Sequence, residues 1–381
     1  MKIKYFFLIL FSFFIHNSVP QEHNAEVVFD DNNFDSDTIR ERLKKLDSKT
    51  PIELFFTPDV EKTIKKYLKT RLKFYKKNID KINYYLPLFE EHLQNKNIPL
   101  EIKYLPLIES RLDPVAVSRV GATGLWQLMF YTALENGITM NSYVDERMDP
   151  LKSTISATTY LQKLYKIHPD WNLVLASYNA GPRTISKAIK RSGGYMNYWN
   201  MRPFLPKETA NYVPSFIATM YILEYAEEHG INLSKAKSSF VQMDTINVKQ
   251  KLSFKQISTF LEFSEDSIKK LNPSYIHDII PGKNKNTLKL PEDIADKFIK
   301  REKELYEFSK AEFNKKEKPL PDLYSIDSKL IYKVKYGEFL GKIARKFGVK
   351  VSDLKRWNNL KNDNIKENQK LIIFPKRIPK N

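Results

Sequence analysis

The chain has 381 residues, enough for more than one domain, and an apolar fraction of 42%, enough for real cores. It has no cysteine, which excludes disulfides, thiolate metal sites, a cysteine nucleophile and a lipid anchor on a mature N-terminal cysteine. The net charge of +18 comes mostly from lysine spread along the chain and no recognition motif accompanies it, so it reads as solubility and weak attraction to polyanions rather than nucleic-acid binding.

In MKIKYFFLILFSFFIHNSVPQ two lysines precede an apolar run from Tyr5 to Ile15. The run is too short to span a bilayer and is shaped like a secretory signal, so residues 1–20 read as a cleaved signal peptide, with a short N-terminal membrane anchor as the alternative. Residues 21–56 are polar and mixed in charge and read as a flexible lead-in.

From Thr57 the pattern turns helical, with Val60, Ile64, Tyr67 and Leu68, then Leu86, Phe89 and Leu93, at helical spacing. Pro87 and Pro99 read as helix starts or joints. Further on, Asp149 is an expected N-cap before Pro150, ASYNAGP interrupts two helical patterns, and Gly230 is an expected C-cap. Residues 57–240, with a core at 96–230, therefore read as one mainly helical domain.

After Met243 two segments repeat at an offset of 86 positions. Val248 meets Val334, Ile257 meets Ile343, Leu261 meets Phe347, Ile268 meets Leu354 and Asn272 meets Asn358. Each copy reads as a small strand-helix-helix-strand unit, at 244–292 and 329–376, with a charged helix or linker at 293–328 between them.

Glu109 closes the apolar run IPLEIKYLPLIES, and Pro114 is expected to stop that helix. A carboxyl embedded among Leu105, Leu107, Ile108 and Leu112 would be partly desolvated, keeping its proton near neutrality as a general acid must. On this run alone a solvated glutamate in a last helical turn is the simpler reading. GATGLWQLM follows, a glycine-punctuated turn ending in what reads as an exposed Trp126–Gln127 pair. Tyr178 and Asn179 precede the reversal at Gly181, and Tyr212 lies in ETANYVP. Amides and tyrosines suit sugar hydroxyls and N-acetyl groups, although each could equally be a core or turn residue. Asp113, four residues after Glu109, could share its helical face, but Pro114 makes it a helix-terminal or capping residue; Asp145 and Asp149 read as caps and salt-bridge partners.

The order ES, GATGLWQ, ASYNAGP, PKETANYVP resembles the catalytic domain of the soluble-lytic-transglycosylase superfamily, related to goose-type lysozyme, and of its membrane-bound lytic transglycosylase D type in particular. The unit from Tyr332 to Pro375 resembles a LysM module, and 244–292 a degenerate one. The resemblance implies a mainly α, lysozyme-like catalytic domain followed by small α+β LysM-type βααβ domains. It implies Glu109 as the single catalytic acid, Ser110 as a serine that holds the sugar or orients the glutamate, and Gln127, Tyr178, Asn179 and Tyr212 as substrate-binding residues. Gly337, Glu338 and Phe339 are the matching sugar-binding positions of the C-terminal LysM. Ser177 departs from the commoner alanine before the Tyr-Asn pair.

The implied activity is cleavage of the MurNAc-GlcNAc bond of peptidoglycan with 1,6-anhydroMurNAc ends, in the periplasm or cell envelope, by a monomer that also binds N-acetylglucosamine oligosaccharides. The rivals are a muramidase using water at the same cleft and a non-catalytic wall-binding scaffold. The six histidines form no ligand-like pairs with carboxylates and no phosphate-cradling glycine loop occurs, so no metal or cofactor is expected.

Overall fold

The computed structural model describes residues 10–11, 35–233, 239–240, 242–282, 286–313 and 330–375. The expected signal peptide falls almost wholly outside them. The chain forms two compact units, one from residues 10–112 and 158–240, the other from 113–157 and 241 onward.

In the first unit, helices α1 (Ser36–Asp47), α2 (Pro58–Thr70), α3 (Leu72–Lys77) and α4 (Ile79–Gln94) lead to a 3₁₀ turn, Leu100–Tyr104, and the short α5 (Leu105–Glu109). Part of the expected flexible lead-in is ordered. Asp35 caps α1, and Ile39, Leu43 and Leu46 form a narrow buried stripe that so polar a stretch does not advertise. Pro87 lies inside α4 rather than at a joint.

The same unit contains α8 (Trp171–Ala180), α9 (Pro182–Arg191), α10 (Tyr198–Met201), α11 (Lys207–Ala210) and α12 (Tyr212–Glu224). Helix α12 is buried on nearly every side, as expected of a helix apolar all round, and packs on α2, α8 and α5. Gly181, at φ +82°, ends α8 and lets Pro182 open α9 at once. Gly230 is a left-handed C-cap as expected, but of a separate 3₁₀ turn, Glu227–His229.

The second unit opens with a loop-rich segment around α6 (Phe130–Glu135). Helix α7 (Pro150–Ile167) begins in that unit: Asp149 accepts from the Lys152 amide at 2.9 Å, so Asp149 and Pro150 are the cap and first residue expected.

Each repeat is built as expected. In the first, strand Met243–Asn247 pairs antiparallel with Thr287–Pro291 around α13 (Phe254–Leu261) and α14 (Glu265–Leu271). In the second, Leu330–Lys333 pairs with Lys370–Ile373 around α17 (Leu340–Phe347) and α18 (Val351–Trp357). The matched asparagines do the same work. Asn272 accepts from the Lys289 amide and donates to the Lys289 carbonyl, and Asn358 does so at Ile372, each clamping the closing strand to its helix. The first module runs past the expected 292, because α15 (Glu292–Lys300) and α16 (Glu302–Phe313) contribute Phe298, Leu305 and Tyr306 to its core.

Candidate active site

Glu109 is the last residue of α5, and the helix stops there rather than at Pro114. The amides of Ser110 and Leu112 both donate to the Pro106 carbonyl, while Arg111 and Leu112 adopt left-handed backbone at φ +56° and +57°. The chain therefore leaves the helix axis before Asp113, whose carboxylate accepts from the Val115 amide in a local turn. Asp113 does not share the helical face of Glu109.

The Glu109 side chain keeps partial surface exposure, yet protein crowds its carboxyl enough to push the pKa up to about 7. Burial is the main cause, and the nearby Glu208 charge adds to it. Tyr212, buried at the start of α12, donates its hydroxyl to Glu109 Oε1, which opposes the rise. Tyr178 and Tyr212 both have pKa values well above the usual tyrosine range, through burial first and the Glu109 charge second, so both remain hydroxyl donors. The Tyr178 ring lies 5.6 Å from that of Tyr160.

Asn179 Nδ2 donates to Glu208 at 3.3 Å, and its carbonyl oxygen accepts from the Thr209 hydroxyl at 2.9 Å. Asn179 thus joins α8 to α11 and holds the exposed Glu208, a residue that sequence reading passed over although it lies in the ETANYVP motif. Ser110 donates its hydroxyl to the Pro106 carbonyl at 3.1 Å. Glu109, Tyr178, Asn179 and Tyr212 are therefore brought together within one unit, with Ser110 adjacent along the chain.

Gln127 belongs to the other unit. Its side-chain amide donates to the carbonyls of Ala116 and Gly124 at 3.2 and 3.0 Å, and its backbone is left-handed at φ +48°. Such strain in a non-glycine residue persists only where its surroundings enforce it. Here Gly124, at φ +84°, lies so close to Arg147 that an added Cβ would stand 1.9 Å from the Arg147 carbonyl. Trp126 is not exposed as expected: it is fully buried and its indole N–H donates to Thr154 at 3.0 Å, anchoring the turn to α7.

In the C-terminal module Gly337 has φ +74° and Phe339 is exposed, but Glu338 turns inward. The Glu338 carboxylate accepts from the Tyr332 hydroxyl and the Lys335 amide. Tyr336, three positions before Phe339 in the chain, is 87% exposed.

Among the described residues no group of three His, Asp or Glu is placed to hold a metal ion, and no helix is long and apolar enough to cross a membrane. The Transglycosylase SLT domain family matches residues 87–199, the family described as "Lytic transglycosylase MltD, LysM-like domain" matches 242–307, and the LysM domain family matches 332–374. Membrane-bound lytic murein transglycosylase D of Escherichia coli (strain K12) is 28% identical over 286 residues, covering 74% of this chain and 61% of that protein. The 70 kDa soluble lytic transglycosylase of Escherichia coli is 22% identical over 52% of this chain and 35% of that one, at a TM-score of 0.33. The chain thus spans less than two thirds of the curated relatives it matches. With these three domains in order, the chain carries a transglycosylase SLT domain followed by an MltD-type LysM-like domain and a LysM domain, and is homologous to membrane-bound lytic murein transglycosylase D.

Proposed function

We propose that this chain is a peptidoglycan lytic transglycosylase that cleaves the β-1,4 bond between N-acetylmuramic acid and N-acetylglucosamine and leaves a 1,6-anhydro end. The observation that carries the reading is the Glu109 carboxyl, held at a pKa of about 7 by burial and hydrogen-bonded by Tyr212. Such a group is protonated often enough near neutrality to give a proton, and basic enough afterwards to take one back.

Glu109 protonates the glycosidic oxygen, and the leaving N-acetylglucosamine departs with that proton. The positive charge at C1 of the muramyl sugar is met by the substrate's own acetamido group. Glu109, now a carboxylate stabilised by the Tyr212 hydroxyl, removes the proton from the C6 hydroxyl. That oxygen closes on C1, and the acid is restored without water. Asn179, Tyr178, Ser110 and Gln127 are assigned to the sugar hydroxyls and N-acetyl groups. Asp113, Asp145 and Asp149 are spent on turns, caps and ion pairs, so none is offered as a second catalytic carboxylate.

The same reading places the chain in the cell envelope after export, working as a monomer. The C-terminal module, with Gly337, Phe339 and Tyr336 at its surface, holds N-acetylglucosamine runs and raises the local substrate concentration. The test is release of soluble muropeptides from purified cell wall. Glu109→Gln should lower the rate on the order of 10²–10⁴-fold, the usual contribution of a general acid, with the fold retained. A rate within a few-fold of the wild type would remove Glu109 from the role.

A further inference from the structure

The two LysM-type repeats differ in what becomes of one turn. In the second copy the turn after Asn358 is open, with Lys361 to Asn364 exposed. In the first copy the corresponding turn after Asn272 is covered, with Ser274 and Tyr275 buried. The cover is segment 143–149 of the SLT domain. Val144 forms an antiparallel bridge with Tyr275. The Asp145 amide donates to the Ser274 carbonyl and the Ile276 amide to the Tyr143 carbonyl, both at 2.9 Å. Tyr143 and Val144 enter the module's core beside Tyr275 and Ile280, and the Tyr143 ring meets His277 edge-on at 5.5 Å. Lys289, on the module's closing strand, pairs with Asp149 at 3.2 Å, both ends largely buried.

The covered segment also carries the pair that shapes the Gln127 turn. Asp145 and Arg147 are both almost fully buried, and the Arg147 guanidinium grips the Asp145 carboxylate through Nε and Nη2 at 2.9 and 2.7 Å. Its Nη1 donates to the carbonyls of Gly121 and Leu128 at 2.9 and 3.2 Å, the two ends of the turn that holds Gln127 at its left-handed φ. A planar fork that bonds a carboxylate and two carbonyls at once is work that arginine does and lysine cannot. One continuous run of contacts therefore joins the module to Gln127: Ser274 to Asp145, Asp145 to Arg147, Arg147 to Gly121 and Leu128.

We propose that the first LysM-type module is a fixed buttress of the SLT domain rather than a free sugar-binding module, and that Arg147 is the positioning residue through which it sets the Gln127 turn. The turn that the second copy leaves open is used in the first to hold segment 143–149. The consequence for catalysis rests on the role proposed above for Gln127, whereas the structural consequence does not.

The test is amide hydrogen exchange on the full chain, read separately over residues 121–128 and over the module core 252–268, beside steady-state kinetics on a short soluble glycan. Ile276→Pro removes the donor to Tyr143 without entering the module's core, and Arg147→Lys keeps the charge but loses the fork. Both should speed exchange at 121–128 while 252–268 stays protected, and both should raise KM by about tenfold, the value of a well-placed hydrogen bond, with kcat changed much less. If Ile276→Pro also exposes 252–268, Arg147→Lys decides alone. Unchanged exchange at 121–128 in Arg147→Lys overturns the buttress. Faster exchange there with unchanged kinetics keeps the buttress and instead removes Gln127 from substrate binding. A tetramer of N-acetylglucosamine added to the wild-type chain should give no new protection at 272–276, and protection there would also overturn the proposal.

Discussion

Tyr212 donates a hydrogen bond to Glu109 across 103 residues of sequence, from the first turn of α12 to the last residue of α5. This bond favours the ionised form of the Glu109 carboxyl, while burial and Glu208 favour the protonated one. The balance lies near neutrality, where a group that must both give and take a proton is most useful.

Two substitutions should move that balance in opposite directions. Tyr212→Phe removes the bond to the carboxylate, so the Glu109 pKa rises and the alkaline limb of the rate profile moves to higher pH. Because a hydrogen bond to a charged group is worth roughly 1.5–3 kcal/mol, turnover should fall by about 10- to 100-fold. Glu208→Gln removes a repelling charge, so the Glu109 pKa falls and the same limb moves to lower pH. The check is kcat/KM against pH for both variants, and shifts of the same sign would contradict the arrangement.

Glu109 should also cost the protein stability. Folding raises its pKa from 4.5 to about 7, so between those values the folded state binds more protons than the unfolded one. Its contribution therefore falls as pH climbs through that window, and the full cost is present above pH 7. Glu109→Gln should stabilise the fold at pH 8 by on the order of 2 kcal/mol, the residual exposure of the side chain trimming the full shift, with no gain near pH 4. Denaturant midpoints at the two pH values provide the measurement.

Ser177 offers an independent check on α8. Its hydroxyl is buried without a hydrogen-bond partner among the described residues, one position before Tyr178. Ser177→Ala, the residue usual in the resembling family, should raise stability by about 1 kcal/mol, since an unsatisfied buried hydroxyl is a net cost. Thermal unfolding should show the gain with activity unchanged.

The local signals in the sequence were strong where a residue type has one physical use. Asp149 with Pro150, Gly181 with Pro182, and the repeated apolar set from Val334 to Leu371 all stand where period and capping chemistry placed them. The misses were tertiary. Trp126 beside Gln127 looked exposed because nothing local announces Thr154 as its partner. Helix α1 was hidden by its polarity, since Ile39, Leu43 and Leu46 make too narrow a stripe to outweigh the charges around them. Glu208 reaches Asn179 across 29 positions, and no spacing rule links the two. Glu338 read as a ligand residue, but the Tyr332 hydroxyl claims it from the neighbouring strand.

Removing residues 330–381 should separate sugar recognition from charge. With a net charge of +18, an anionic wall attracts the whole chain, but that attraction is screened above ~0.15 M salt, whereas hydrogen bonding and stacking at Tyr336 and Phe339 are not. The truncated chain should lose affinity for wall and chitin oligosaccharides even at high salt and keep its rate on short glycans. Equal binding by both chains at high salt would assign no sugar site to the module.

The most direct measurement of the central claim is the mass of the products that the purified chain releases from cell wall. Glu109 acting on the muramyl C6 hydroxyl yields ends lighter by one water than a hydrolase would leave. Anhydro ends are expected throughout, lost together with turnover in Glu109→Gln. Products carrying the full mass of the reducing sugar would show that water, not C6, attacks C1, and would contradict it.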